Sequence, residues 1–146
     1  MNNRIDINAI IASPQIEELG KKTITTLAKD FSDNQRVAIA KAVLYIISAD
    51  GVITEEEKIF FTQLCADMKA DNDIMEKAVA LSDDAMFDAL KTVTDEQEAY
   101  ILSCLNNAAY ADNELAEEES KLIDAFATHI QTGEKPKEFF TKLLTF

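Results

Sequence analysis

Two copies of one short motif constrain this chain more than any other feature: Ala49-Asp50-Gly51-Val52-Ile53-Thr54-Glu55-Glu56-Glu57 and Ala111-Asp112-Asn113-Glu114-Leu115-Ala116-Glu117-Glu118-Glu119. A slide of 62 positions, 112 minus 50, superposes Ala49 on Ala111, Asp50 on Asp112 and the triplet Glu55 to Glu57 on Glu117 to Glu119. Apolar positions follow the same offset: Val43 meets Leu105, Ile53 meets Leu115, Phe60 meets Leu122, Phe61 meets Ile123, Leu64 meets Phe126 and Met68 meets Ile130. The match extends over the segments before and after the motif, and the repeating unit is a helix, a tight turn and a helix.

The turn has a physical logic. Gly51 in one copy is Asn113 in the other, and these are the residue types that most readily take the left-handed conformation closing a helix. Thr54-Glu55-Glu56-Glu57 and Thr94-Asp95-Glu96-Gln97 read as capping boxes, in which a threonine hydroxyl and a Glu or Gln carbonyl reciprocally satisfy free amides. Phe60, Phe61, Leu64 and Met68 follow the first box at helical spacing; Ile101, Cys104, Leu105 and Ala108 follow the second. Asp33 is positioned to cap a helix apolar on several sides, with Val37, Ala40, Leu44 and Ile47 on one face and Ile39, Val43 and Ile46 on another. The helix opened by Thr94 resembles it in being apolar nearly all round.

Ser13-Pro14 reads as a further helix start, running to about Asp30. Two shorter helices are expected between, from about Asn72 to Leu81 and from a Ser82 cap to near Val93. A helix from about Ala116 stops at Gly133, and Pro136 starts a last one whose Phe139, Phe140, Leu143 and Leu144 predict docking onto the body. The expected fold is therefore all-α: one domain over residues 1–146, a bundle of about seven to eight helices with a short extension over residues 1–12. Its pseudo-symmetric repeats cover about 33–70 and 95–132. The two most apolar helices, near 35–49 and 95–111, would lie side by side in the middle.

Composition narrows function by exclusion. At 146 residues the chain can bury a sizeable core without a disulfide or a metal. Its 27 acidic against 14 basic side chains give a net charge of −13, which repels a phosphate backbone and argues against nucleic acid and anionic membrane. Charges interrupt the first eight residues, and no apolar run approaches the length of a membrane span, so a cytoplasmic location is expected. Cys65 and Cys104 lie 39 positions apart with no CxxC, and both read as small core residues.

The duplicated motif resembles that of the TerB-like family, a tellurite-resistance-associated helical domain whose members carry an Ala-Asp-Gly turn and a glutamate-rich helix start, twice. The matching residues are Ala49-Asp50-Gly51 with Thr54 to Glu57, and Ala111-Asp112 with Glu117 to Glu119, within roughly residues 33 to 130. The resemblance implies an all-α fold and an association with bacterial stress or metal-resistance systems. It also implies a divalent-metal or protein-contact role for the acidic turn. Asn113 in place of Gly and Ala116 in place of a capping Thr depart from the pattern in the second copy.

Asp50, Glu57, Asp112 and Glu119 are the candidate metal ligands, because carboxylate oxygens suit calcium or magnesium. An EF-hand is rejected: with Gly51 in the loop's glycine place, the first and third ligand positions fall on Ile46 and Ser48, and in the second copy on Ala108 and Tyr110. The competing reading spends the glutamates on caps and the helix dipole, and Asp50 and Asp112 on turn amides. Consecutive glutamates also point about 100° apart around a helix, so no triplet converges on one ion.

No catalytic residue is expected. His129 is the sole histidine and reads as a surface or packing residue, lacking a positioned partner. Phosphate loops, nucleophile elbows and HExxH are absent. Tyr45, Tyr100, Tyr110 and the phenylalanines read as core. The sequence thus points to a non-catalytic module that contacts another protein through an acidic face around the turns, with a divalent-cation-binding stress protein as the alternative and an enzyme of unknown type as the third reading.

Overall fold

The computed structural model describes residues 31–111, 117–135 and 143–146, and among these residues it is all-helical. Six helices follow one another: α1 (Asp33–Ser48), α2 (Glu55–Asp67), α3 (Ile74–Ala80), α4 (Asp83–Leu90), α5 (Asp95–Ala109) and α6 (Glu117–Thr132). The helices expected at residues 14–30 and from Pro136 lie outside the described residues, as do Asp112, Asn113 and Ala116.

The first of these helices is the centre of the bundle. Every residue from Ala38 to Ser48 is buried, and α1 packs against each of the other five described helices. The continuous apolar run Val43-Leu44-Tyr45-Ile46-Ile47 is what such an all-round interface requires. Its start differs from expectation by one residue. Ser32 is the N-cap; its Oγ accepts from the Gln35 amide at 3.1 Å while Gln35 Oε1 accepts from the Ser32 amide at 2.9 Å. Asp33 is instead the first helical residue and pairs with Arg36 at 3.1 Å.

Burial inside α1 includes one lysine. Lys41 is 4% exposed; its ammonium donates to the Ala78 carbonyl at the end of α3 (3.1 Å) and lies 3.9 Å from Asp83. Tyr45 donates to the same Asp83 carboxylate at 2.6 Å. Desolvation holds the Lys41 pKa below the ordinary lysine range, partly opposed by Asp83.

The capping boxes at Thr54 and Thr94 form as expected and start α2 and α5. The two short helices are tighter than expected, because a turn at Asn72 and Asp73 precedes α3 and Thr92 bonds back to Ala89 just after α4. Gly133 takes φ +77° directly after α6, its amide donating to the His129 carbonyl at 2.7 Å. At the C terminus the Leu144 amide donates to Ser48 Oγ at 3.1 Å, and the Phe146 ring meets Phe61 edge-on at 5.5 Å. Residues 143–146 thus dock against the end of α1 and the side of α2.

One expectation about α5 is corrected. The helix is buried along Gln97, Tyr100, Ile101, Cys104, Leu105, Ala108 and Ala109, but Glu96, Ala99, Ser103, Asn106 and Asn107 are exposed. It packs beside α1 with one face and leaves another open, because its apolar residues cover only part of the circumference.

Candidate functional site

The first Ala-Asp turn shows how its residues are used. Gly51 adopts φ +86°, the left-handed geometry expected, and its amide donates to the Ser48 carbonyl at 2.9 Å. Asp50 is exposed, and its Oδ1 accepts from the Val52 amide at 3.1 Å, a local bond of the kind that aspartate supplies in turns. The chain then enters α2 through Thr54. Glu57 Oε1 accepts from the Thr54 amide at 2.8 Å while Thr54 Oγ1 accepts from the Glu57 amide at 3.2 Å.

Glu57 is 1% exposed and Glu119, in the first turn of α6, is 2% exposed. Both carboxylates therefore sit inside the structure, whereas Asp50 faces solvent. Among the described residues no three carboxylate, imidazole or thiol groups converge in a way that could hold a metal ion; Asp112 lies outside those residues.

The other reactive side chains are held in structural settings. Burial pushes the thiols of Cys65 and Cys104 up to about 11, so thiolate is disfavoured at neutral pH. Cys104 is buried; Cys65 is only partly so. His129 is not on the surface but fully enclosed, its Nε2 2.7 Å from the Phe87 carbonyl and its Nδ1 3.0 Å from the Glu134 carbonyl. A neutral imidazole has a single N–H and can donate to one of these acceptors at a time. The ring joins the C-terminal turn of α4 to the residues that follow α6, and it also stands edge-on to Phe87 at 4.6 Å.

The open face of α5 meets α2 across a groove of about 380 Å³. Phe60, Leu64, Tyr100 and Cys104 form its apolar lining, with Gln63, Asp67, Glu96, Ala99, Ser103 and Asn107 around them. Neither Lys nor Arg is among these lining residues. The two walls match in sequence. Taking 54 from 94 gives an offset of 40, under which Thr54 answers Thr94, Glu57 answers Gln97, Phe60 answers Tyr100, Gln63 answers Ser103, Leu64 answers Cys104 and Asp67 answers Asn107. Each wall is thus a capped helix whose third residue is buried, with the positions 6, 9, 10 and 13 after the cap lining the groove.

Sequence reasoning passed over this groove because it assigned α5 to the middle of the bundle. The signal was present in two forms: the pair of Thr-x-x-Glu/Gln boxes 40 apart, and the polar row Glu96, Ser103 and Asn107 at helical spacing along a helix treated as apolar nearly all round. Comparison of the chain with protein-family models, curated proteins and solved structures finds no match. Among the described residues no helix is long and apolar enough to cross a membrane.

Proposed function

We propose that the chain is a non-catalytic acidic helical module of TerB-like type that binds a protein partner, in the cytoplasm and in a bacterial stress or tellurite-resistance-like setting. The observation that carries this reading is the surface at the first Ala-Asp turn. Val52 is 61% exposed and Ile59 65% exposed, beside the exposed carboxylates Asp50, Glu55 and Glu56. Large aliphatic side chains left in water among charges are what a polar-rimmed protein contact uses. Affinity capture with the wild type and with a Val52→Glu, Ile59→Glu double variant tests it: a partner retained by the first and lost by the second supports the reading, and equal retention opposes it.

The second reading is a divalent-cation-binding stress protein using Asp50 and Asp112 with Glu57 and Glu119. The solvent exposure of Asp50 favours it; the commitment of Glu57 to a buried cap weighs against it. Calorimetry with calcium, magnesium, manganese and zinc separates the two. Micromolar binding that disappears in an Asp50→Asn, Asp112→Asn variant supports the cation reading, and the absence of heat with all four ions removes it.

A further inference from the structure

The groove between α2 and α5 has features that the first-turn surface alone does not explain. Its lining runs from Phe60 to Asp67 on α2 and from Glu96 to Asn107 on α5, which at 1.5 Å per residue gives walls about 10 and 16 Å long, room for roughly two to three turns of another helix. An apolar trough between two helices is the receptor geometry for an amphipathic helix, which sets anchors at i, i+3, i+4 and i+7 along one stripe. The charged side chains on the lining are Asp67 and Glu96, both acidic and both exposed, with Glu56 at the α2 position matching Glu96. The protein as a whole carries −13, so the local sign at the groove is reinforced by the field around it. A helix with acidic flanks would meet like charge on both walls; one with lysines or arginines flanking its apolar stripe would meet opposite charge.

We infer that the α2–α5 groove is the docking site for an amphipathic helix of a partner protein, one with basic residues on both flanks of its apolar stripe. The inference rests on the interaction reading above and names the partner's chemistry. The floor is apolar: the half-buried Phe60 supplies its largest accessible side chain, and Leu64, Tyr100 and Cys104, each at most 9% exposed, line it from the core. The exposed Gln63, Ser103 and Asn107 supply hydrogen-bonding groups along the rim.

The test uses the full chain and three synthetic 18-residue helical peptides: one with a leucine and phenylalanine stripe flanked by lysines, one with the same stripe flanked by glutamates, and a scramble of the first that destroys the stripe. Fluorescence anisotropy is expected to give binding of the lysine-flanked peptide at least tenfold tighter than either control. Ser103→Arg, at the exposed rim, is expected to weaken it at least tenfold, with the far-ultraviolet circular dichroism spectrum unchanged. An Asp67→Lys, Glu96→Lys double variant is expected to reverse the preference toward the glutamate-flanked peptide, a change that misfolding does not produce.

Equal binding of the two flanked peptides, or binding indifferent to Ser103→Arg, overturns the inference. A dimer in sedimentation velocity that Ser103→Arg dissociates assigns the groove to a second copy of the chain and overturns it too. So does absence of peptide binding accompanied by carbodiimide cross-links from Lys21, Lys22 or Lys29 to Asp67 or Glu96, which assigns the groove to the chain's own N-terminal residues. If peptides fail while partner capture still depends on Val52 and Ile59, the groove assignment falls and the interaction reading stands.

Discussion

Phe60 and Tyr100 stand six positions after the capping threonines of α2 and α5, and they line opposite walls of one groove. The relationship begins with the caps. The third residue of each helix, Glu57 or Gln97, bonds the cap amide and is buried, so both helices share one phase about their axes from the first turn. The sixth residue then falls at the edge of the buried face, where an aromatic side chain reaches both core and groove. Tyr100 continues inward to Phe31, with ring centroids 5.6 Å apart.

Gln97 is a natural control for Glu57, since it performs the same capping task in α5 with a neutral amide. A Glu57→Gln substitution keeps the acceptor oxygen and is expected to cost less than about 1 kcal/mol. Glu57→Ala removes the acceptor and leaves a cavity, and is expected to cost about 2 to 3 kcal/mol. Urea denaturation of both variants checks this; a glutamine variant as damaged as the alanine variant would show that the carboxylate charge, not the cap, matters.

His129→Phe keeps a ring against Phe87 but removes both contacts to the Phe87 and Glu134 carbonyls. The expected loss is about 1 to 3 kcal/mol, because the imidazole's buried hydrogen bond is lost while the Phe87 carbonyl keeps only the Lys91 amide at 3.2 Å. Chemical denaturation measures it, and a variant as stable as the wild type would mean that the ring serves packing alone.

Alkaline pH is expected to destabilise the fold. The thiols of Cys65 and Cys104 ionise near 9.0 in ordinary surroundings and only at about 11 in the folded protein. Their contribution is intact below pH 9 and is lost as pH rises from 9 through 11, by at most about 2 to 3 kcal/mol for the buried Cys104 and by less for the partly exposed Cys65, which solvent screens. Tyr100, whose phenol burial also pushes up, acts in the same direction. Lys41 acts in the opposite one, because its lowered pKa makes the folded state release a proton more readily than the unfolded chain below 10.5. Denaturation midpoints at pH 8, 9.5 and 11 are expected to fall, and a Cys65→Ala, Cys104→Ala variant to show a shallower decline. A flat profile in the wild type would contradict the burial assigned to the thiols.

Gly51→Ala puts a Cβ into open space but at φ +86°, and is expected to cost about 1 to 2 kcal/mol through backbone strain, with Gly51→Asn milder. Thermal unfolding of the two variants gives the comparison; alanine and glycine of equal stability would show that the turn relaxes.

Much of the fold was legible because local signals agreed. Thr54 with Glu57, Thr94 with Gln97, Ser82 and Gly51 each act within a few residues, so their bonds can be deduced from spacing. The all-round burial of α1 followed from its lack of any polar face. What could not be deduced depended on partners distant in sequence. His129 finds Phe87 42 positions away, and Lys41 finds Ala78 37 positions away, neither of which leaves a mark in the local pattern. The groove escaped for a related reason: α5 has enough apolar residues to be buried throughout, and only its packing beside α1 and α2 shows which side stays open. The same distinction divides the candidate site. The roles of Asp50 in its turn and Glu57 in its cap were within reach of spacing, while the burial of Glu119 was not.

Amide chemical-shift mapping of the full chain, titrated with the lysine-flanked helical peptide, decides whether the protein acts by gripping a helix between α2 and α5. The largest shifts are expected at Phe60, Gln63, Asp67, Tyr100, Ser103 and Asn107, saturating together with one affinity. Shifts confined to another surface, such as that around Val52 and Ile59, or no shifts at saturating peptide, would contradict it.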